Sequence, residues 1–330
     1  MRAAVYPGAG QPLRIEEQAV PVPLHDEVVI KVCRCGVCGT DLHATEAHSE
    51  MPAEPGSVLG HEYAGEVVET GRDIAHLKLG DRIAVMPLRG CGRCADCAAG
   101  RIARCLNKAK QFGGYAQFAR VQELTAVRLP ADLSLQDGAL VEPLAVSLHG
   151  AAMAGITPGC RVTVLGAGPI GAGAAFWVRH LGAGHVTVVE RLPPRQRIAQ
   201  AMGADRVLAP EAVDPDESAS DVVFEAVGRP GLLGAAMAHA RMGATVVSLG
   251  FCMAADPITP AMACRKELTF KFPTGWSRRD FEVAADVLAK GTVEPRAMLT
   301  DVVGMDELPQ AFEALRRPAD QCKVVVDPWG

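Results

Sequence analysis

The chain has 330 residues, 49% of them apolar, and a formal net charge of −5. That is long enough for two domains of ordinary size with a sizeable core, and too evenly charged, with no basic stretch interleaved with aromatics, to favour a nucleic-acid partner. The start, Met1-Arg2-Ala3-Ala4-Val5-Tyr6, lacks the long apolar region of an export signal, and the longest apolar stretch, 164–178, is broken by glycines and Pro169 and falls short of a bilayer span.

A cytoplasmic protein acting on a small molecule is therefore expected, with its eleven cysteines kept as thiols and serving metals. The first 140 or so residues read as β-rich. Short alternating runs at 27–32, 64–69, 82–86 and 115–121 are separated by Gly, Pro and Asp. Between the first two runs lie Gly36-Val37-Cys38-Gly39-Thr40-Asp41-Leu42-His43 and Gly60-His61-Glu62. Cys38 and His61 offer a thiolate and an imidazole to zinc, and Glu62 offers a carboxylate. Glu142, in Val141-Glu142-Pro143-Leu144-Ala145, is a second carboxylate that could complete the set instead. Three protein ligands leave a coordination position free, which is the catalytic arrangement. Taken singly these residues are a buried thiol, a loop histidine and surface acids; together they point to a reactive metal. Thr40 and His43 follow Cys38 at distances that suit a hydroxyl taking a proton beside the metal and an imidazole passing it on. His25, His48 and His76 have no partner pattern, and His149 reads as packed within a helix.

Cys91, Cys94, Cys97 and Cys105 then form a tight run among glycines and charged residues. Four sulfurs close a tetrahedral shell, so this lobe is expected to hold a structural zinc. A cubane iron–sulfur cluster would bring the last cysteine closer and follow it with proline, whereas Leu106 follows Cys105. Cys33, Cys35, Cys160, Cys252, Cys264 and Cys322 are expected to be small buried apolar residues.

A helix over 137–154 precedes a change of rhythm. Strands are predicted at 161–166, 186–190, 206–208, 221–226, 244–251 and 268–272, with helices at 170–181, 195–202 and 232–241 between them. That alternation implies a parallel sheet with helices on both faces. Gly166-Ala167-Gly168-Pro169-Ile170-Gly171 lies between the first strand and its helix, the context in which such a string binds a dinucleotide pyrophosphate. Glu190 ends the next strand, where an acid meets the adenosine ribose and favours NAD. Arg191 and Arg195 lie close enough to pair with a 2′-phosphate instead, so NADP stays open. Val227, Gly228 and Gly250, at the ends of later strands, are expected on the nicotinamide side. Helices at 281–289 and 308–315 and a strand at 323–326 complete the chain. The apolar late strands suggest pairing across a two-fold axis.

Taken together, G-V-C-G-T-D-L-H, G-H-E-Y-A-G-E-V, the four-cysteine lobe, E-P-L-A and G-A-G-P-I-G resemble the zinc-containing medium-chain dehydrogenase/reductase superfamily. The likeness covers essentially the whole chain, in order. G-H-E with E-P-L-A is similar to the sorbitol, butanediol and threonine dehydrogenase branch. The resemblance implies an α/β protein with a GroES-like β-rich catalytic domain at 1–144 and 281–330 and a Rossmann doubly wound nucleotide-binding domain at 145–280. It also implies two zinc ions per chain, NAD or NADP, a homodimer or homotetramer, and interconversion of a secondary alcohol (polyol, diol or cyclic) and its ketone. Cys38, His61 and Glu62 or Glu142 carry over as catalytic-zinc ligands, and Thr40 and His43 as the proton relay. One departure is that only seven residues separate Cys105 from Gly113, where the family usually has a longer segment bordering the substrate pocket. The alternatives weighed are a zinc-independent quinone or enone reductase on the same fold and a catalytically silent nucleotide-binding protein.

Overall fold

The computed structural model describes residues 1–214, 219–291, 294–317 and 320–330. Two sheets dominate. The first runs in the order Leu299–Gly304, Lys323–Asp327, Glu27–Gly36, Glu62–Thr70, Arg82–Val85, Ala126–Arg128, with Phe118–Gln122 also paired to Glu27–Gly36. Alternation explains its long central strand: Val28, Ile30 and Val32 lie on one face and enter a core with Val67, Ile83, Val85 and Val121, as period-2 side chains must. The neighbouring residues of that strand are not all polar, and Val29 is equally buried.

The second sheet is wholly parallel. Counted in chain order its strands lie 3-2-1-4-5-6, namely Arg206–Leu208, His185–Val189, Arg161–Leu165, Ser220–Glu225, Ala240–Ser248 and Thr269–Lys271. The reversal between Arg161–Leu165 and Ser220–Glu225 opens a crevice at their carboxyl ends, the place where such sheets hold ligands. The strands are valine-rich because helices cover both faces.

Several elements differ from the sequence reading. The helix expected to reach 241 stops at His239, and the next strand starts at Ala240 rather than 244. Its early residues are out of register with Ser220–Glu225, and Gly243 adopts φ +74°, so the hydrophobic pattern becomes clear only after that irregularity. The two-stranded ribbon Arg2–Val5 with Arg14–Glu17, the short helix Gly39–Ala44 and the strand Leu299–Gly304 were not foreseen. Leu299–Gly304 pairs parallel with Lys323–Asp327, which in turn pairs antiparallel with Glu27–Gly36. The end of the chain therefore joins the first sheet. Of the six cysteines expected to be buried, Cys35, Cys160 and Cys322 are, Cys33 and Cys252 are half-buried, and Cys264 is exposed. Among the described residues no helix is long and apolar enough to cross a membrane.

The two sheets share one core. Helix Val141–Ala154 packs between them, and Leu144, Leu148 and Ala151 belong to the same cluster as Ala64, Val127, Val164 and Phe281. Helix Arg278–Ala289 is started by a capping box of Ser277 and Asp280, which satisfies otherwise orphaned amides. Asp280 also meets His149 Nδ1 at 3.1 Å, so this histidine is a helix-to-helix contact. Phe281 is fully buried and meets the Trp276 ring edge-on at 5.3 Å. Phe281→Ala should lower unfolding stability by about 3–5 kcal/mol, read by denaturant titration.

Candidate metal and dinucleotide sites

The metal cluster grows from the pairing of two strands. Gly36 ends one and faces Glu62, the first residue of the other. A Cβ on Gly36 would lie 2.0 Å from Glu62 Oε2, so only glycine lets that carboxylate fold back over the strand. Cys38 follows two residues later as the N-cap of helix Gly39–Ala44, and His61 directly precedes Glu62. The Cys38 sulfur, a His61 ring nitrogen and a Glu62 oxygen lie within 4.8 Å of one another.

Asp41 orients the imidazole. It is fully buried, and its Oδ1 lies 3.1 Å from His61 Nδ1 while Oδ2 accepts the Tyr115 hydroxyl at 2.7 Å. A carboxylate only accepts, so Nδ1 carries the proton and Nε2 is left for a metal, the arrangement typical of ligating histidines. Burial works against a charged His61, but the Asp41 carboxylate and the Cys38 sulfur outweigh it and hold its pKa well above the ordinary value. Burial likewise opposes ionisation of Asp41, yet His61, the Tyr115 hydroxyl and the Gly60 amide bring its pKa down. Phe112 stacks on His61 with ring centres 4.9 Å apart. A half-buried soft sulfur with a buried, oriented imidazole and a buried carboxylate is a donor set that fits zinc.

Glu62 is not free. Both of its oxygens accept from the ammonium of Lys323, at 2.7 and 2.6 Å. Glu142 stands apart from the three-residue cluster, buried, with burial first and the Glu62 charge second raising its pKa to about 7. Thr40 and His43 are both exposed, on the same short helix. They are three residues apart and so share a face. His43 Nδ1 is 3.1 Å from Glu46.

In the lobe, Cys91, Cys94, Cys97 and Cys105 bring their sulfurs within 4.8 Å of one another, and none is disulfide-bonded. The Arg93 and Cys94 amides draw the Cys91 thiol down to about 6, and the Cys97 amide meets the Cys94 sulfur at 3.4 Å. Those of Arg93 and Cys94 favour a thiolate at Cys91, whereas burial pushes the Cys97 thiol up to about 12; four convergent sulfurs are a donor set that fits zinc. Glu27, buried at the start of its strand, pairs with Arg89 at 2.7 Å and Arg120 at 2.8 Å.

At the second sheet's crevice, a Cβ on Gly171 would sit 2.0 Å from the Gly166 carbonyl oxygen, so helix Pro169–His180 can approach its strand only with glycine there. Gly168, by contrast, has open space save for the Arg195 guanidinium, 3.9 Å from where its Cβ would be. No side chain caps this helix, leaving the Ile170 and Gly171 amides for an anion. Glu190 is buried, and its two oxygens accept from the Ala167 and Leu192 amides, each at 2.8 Å. It therefore clamps the turn as well as ending its strand. Arg195 donates to the Gln321 carbonyl at 2.8 Å, and Arg191 is exposed. The Val227 and Gly228 amides both donate to Glu225 Oε1. A Cβ on Gly250 would lie 2.2 Å from the Gly228 nitrogen, so these strand ends meet.

Asp41, Lys323 and Glu225 were missed in the sequence. Asp41 stands inside the G-T-D-L-H string, and Glu225 is an acid closing the strand Ser220–Glu225 after three apolar residues; Lys323 gave no local signal.

Residues 25–131 match the alcohol dehydrogenase GroES-like domain family, and residues 169–290 match the zinc-binding dehydrogenase family. Sorbitol dehydrogenase of Bacillus subtilis (strain 168) is 30% identical, with 99% of this chain and 97% of that protein covered. Among solved structures, a zinc-binding dehydrogenase from Sinorhizobium meliloti 1021 bound to NADP superposes with TM-score 0.89 at 32% identity, covering 99% of both chains. The 2R,3R-butanediol dehydrogenase from Bacillus subtilis gives TM-score 0.87 at 28% identity, again over 99% of both. The chain belongs to the zinc-containing medium-chain dehydrogenase/reductase superfamily. It is a zinc-dependent NAD(P) dehydrogenase that interconverts an alcohol and its ketone.

Asp41→Asn should weaken zinc binding at the Cys38 cluster about 10–100-fold, the usual cost of removing a histidine's outer partner. Metal analysis after dialysis against a graded chelator series would measure it.

Proposed function

We propose that Cys38, His61 and a carboxylate, Glu62 or Glu142, hold the catalytic zinc, that the four-cysteine lobe holds a structural one, and that the substrate is a secondary alcohol of the polyol, diol or cyclic class. The convergence of Cys38, His61 and Glu62, with Asp41 fixing the imidazole, carries this reading. Bound there, zinc would act as a Lewis acid that lowers the pKa of an alcohol hydroxyl.

The chain's own groups do the rest. The Thr40 hydroxyl takes the substrate proton as it releases its own, and His43, one turn on, carries the released proton to solvent. With Nδ1 turned to Glu46, the His43 Nε2 is left as the accepting atom. Val227, Gly228 and Gly250 at the sheet's carboxyl edge would line the nicotinamide, which when bound would supply the hydride acceptor, and the Ile170 and Gly171 amides and Arg195 would hold the pyrophosphate. Glu190 supports NAD over NADP by charge, with Arg191 the counterweight. The short 106–112 segment supports a more open cleft, suited to a bulkier or cyclic alcohol. Residues 1–144 with 281–330 form the catalytic unit and 145–280 the nucleotide-binding unit. The exposed Phe272 beside the edge strand Thr269–Lys271 supports a homodimer or homotetramer, and the setting is cytoplasmic.

Cys38→Ser should leave one zinc per chain instead of two and lower kcat at least about a thousandfold, since Lewis-acid activation is lost. NAD binding, followed by fluorescence, should persist. Near-normal turnover would overturn the assignment. A panel of secondary alcohols followed by NADH absorbance, repeated with NADP, identifies substrate and cofactor.

A further inference from the structure

Thr40 and His43 lie on the exposed side of helix Gly39–Ala44, and Asp41 and Ala44 on its buried side. Six residues make a helix too short to persist on its own hydrogen bonds, and no side chain caps its start. Its last carbonyls have no partner further along the helix. What holds this end comes from the other end of the chain.

Arg316 follows helix Leu308–Ala314 by two residues. Its Nη1 donates to the Leu42 carbonyl at 3.0 Å and its Nη2 to the Thr45 hydroxyl oxygen at 2.8 Å. Thr45 is buried, and its hydroxyl donates in turn to the Leu42 carbonyl at 2.8 Å. A planar guanidinium suits two acceptors at fixed spacing, and a cation is favoured at a helix C-terminus. Glu313 steadies the guanidinium, accepting from Nε at 2.8 Å and Nη2 at 3.1 Å. The guanidinium carbon lies 5.6 Å from the centre of the Phe312 ring. Phe312 is buried and meets Tyr115 edge-on at 6.4 Å, and the Tyr115 hydroxyl donates to Asp41. The chain's C-terminal part therefore supports the short helix twice, directly at its end and through Tyr115 at Asp41.

Stability does not account for the direct contact. The Arg316 and Glu313 side chains are 29% and 42% exposed, and ion pairs so open to water contribute little. Among the described residues Arg316 bonds to no member of the metal cluster. What its fork fixes is the angle of a helix whose outer face carries both relay groups.

We infer that Arg316 is a positioning residue of the proton relay, keeping Thr40 and His43 in line for proton transfer by fixing the C-terminal end of their helix. The inference rests on the proposed relay, and the experiment separates the two. Alcohol oxidation is followed for the wild type, Arg316→Met and His43→Ala, in H2O and D2O and over graded HEPES, a buffer base too bulky to ligate the metal. Methionine keeps an apolar stem against Phe312 but cannot donate. Arg316→Met should lose about tenfold in kcat, a fraction of what a positioned acid–base group supplies. Its solvent isotope effect should exceed the wild type's, and buffer should restore turnover, while zinc content and KM for the cofactor hold. An unchanged kcat, or a loss that neither D2O nor buffer moves, overturns the inference, since a merely structural arginine would act that way. His43→Ala with wild-type kcat and isotope effect overturns the relay reading and the inference with it. A slowed His43→Ala beside an unaffected Arg316→Met overturns the inference alone. Should Arg316→Met not fold, Thr45→Val decides, because it removes one of the two acceptors: the same rise in solvent isotope effect is expected, and wild-type values overturn the inference.

Discussion

The metal cluster depends on one backbone meeting, the pairing of Gly36 with Glu62. Strand register has a period of two, so a slip of one residue would turn Glu62 and its neighbours to the opposite face. With the register as it stands, the chain leaves one strand through Val37 into Cys38 and enters the other through His61. Cys38 and His61 therefore sit on adjoining overhangs, without a long loop to order. The missing Cβ at Gly36 is part of the same constraint, because the Glu62 carboxylate occupies its space. Any side chain there would displace an acid that is only 1% exposed.

Around that meeting the interior carries an unusual density of charge. Asp41, Glu62, Glu142 and Lys323 are all buried, together with His61. Isolated buried charges are expensive, and two of the acids are answered by geometry: Asp41 by His61 and Tyr115, Glu62 by Lys323. Glu142 has no such answer, and burial drives it toward the neutral form. A divalent cation bound among them would be the largest local charge and would reset every one of these balances. A core selected only for stability would be better served by apolar side chains.

How far the sequence revealed this follows from distance along the chain. The cysteine lobe spans fifteen residues and the glycine turn six, and both carry chemistry in their spacing, so they could be read directly. Cys38, His61 and Glu62 were legible because few other roles explain the three together. Asp41 was visible in its string, but its partner lies 20 positions away, and an acid there could equally have been solvated. Lys323 was silent, because its partner is 261 positions distant and a lysine before three valines reads as an ordinary strand start. The strand Leu299–Gly304 escaped notice for a different reason. It lies at the sheet edge with Thr300, Asp301 and Val302 exposed in succession, so it lacks the alternation that identifies a half-buried strand.

The last strand also explains how one small molecule can be served by two distant sequence motifs. Three consecutive residues at its head touch different parts of the machinery. The Gln321 carbonyl accepts from Arg195, the Cys322 sulfur contacts the Ala167 carbonyl in the glycine turn at 3.9 Å, and Lys323 holds Glu62. The glycine turn and the Cys38, His61 and Glu62 cluster thus share a strut three residues long, whose far end is fixed into the first sheet by pairing on both sides. Hydride transfer demands that donor and acceptor be held at near-contact distance, and two domains joined only by flexible crossings would not ensure it. A strand that grips one cluster and abuts the glycine turn places the two relative to one another by sheet geometry instead of by loops.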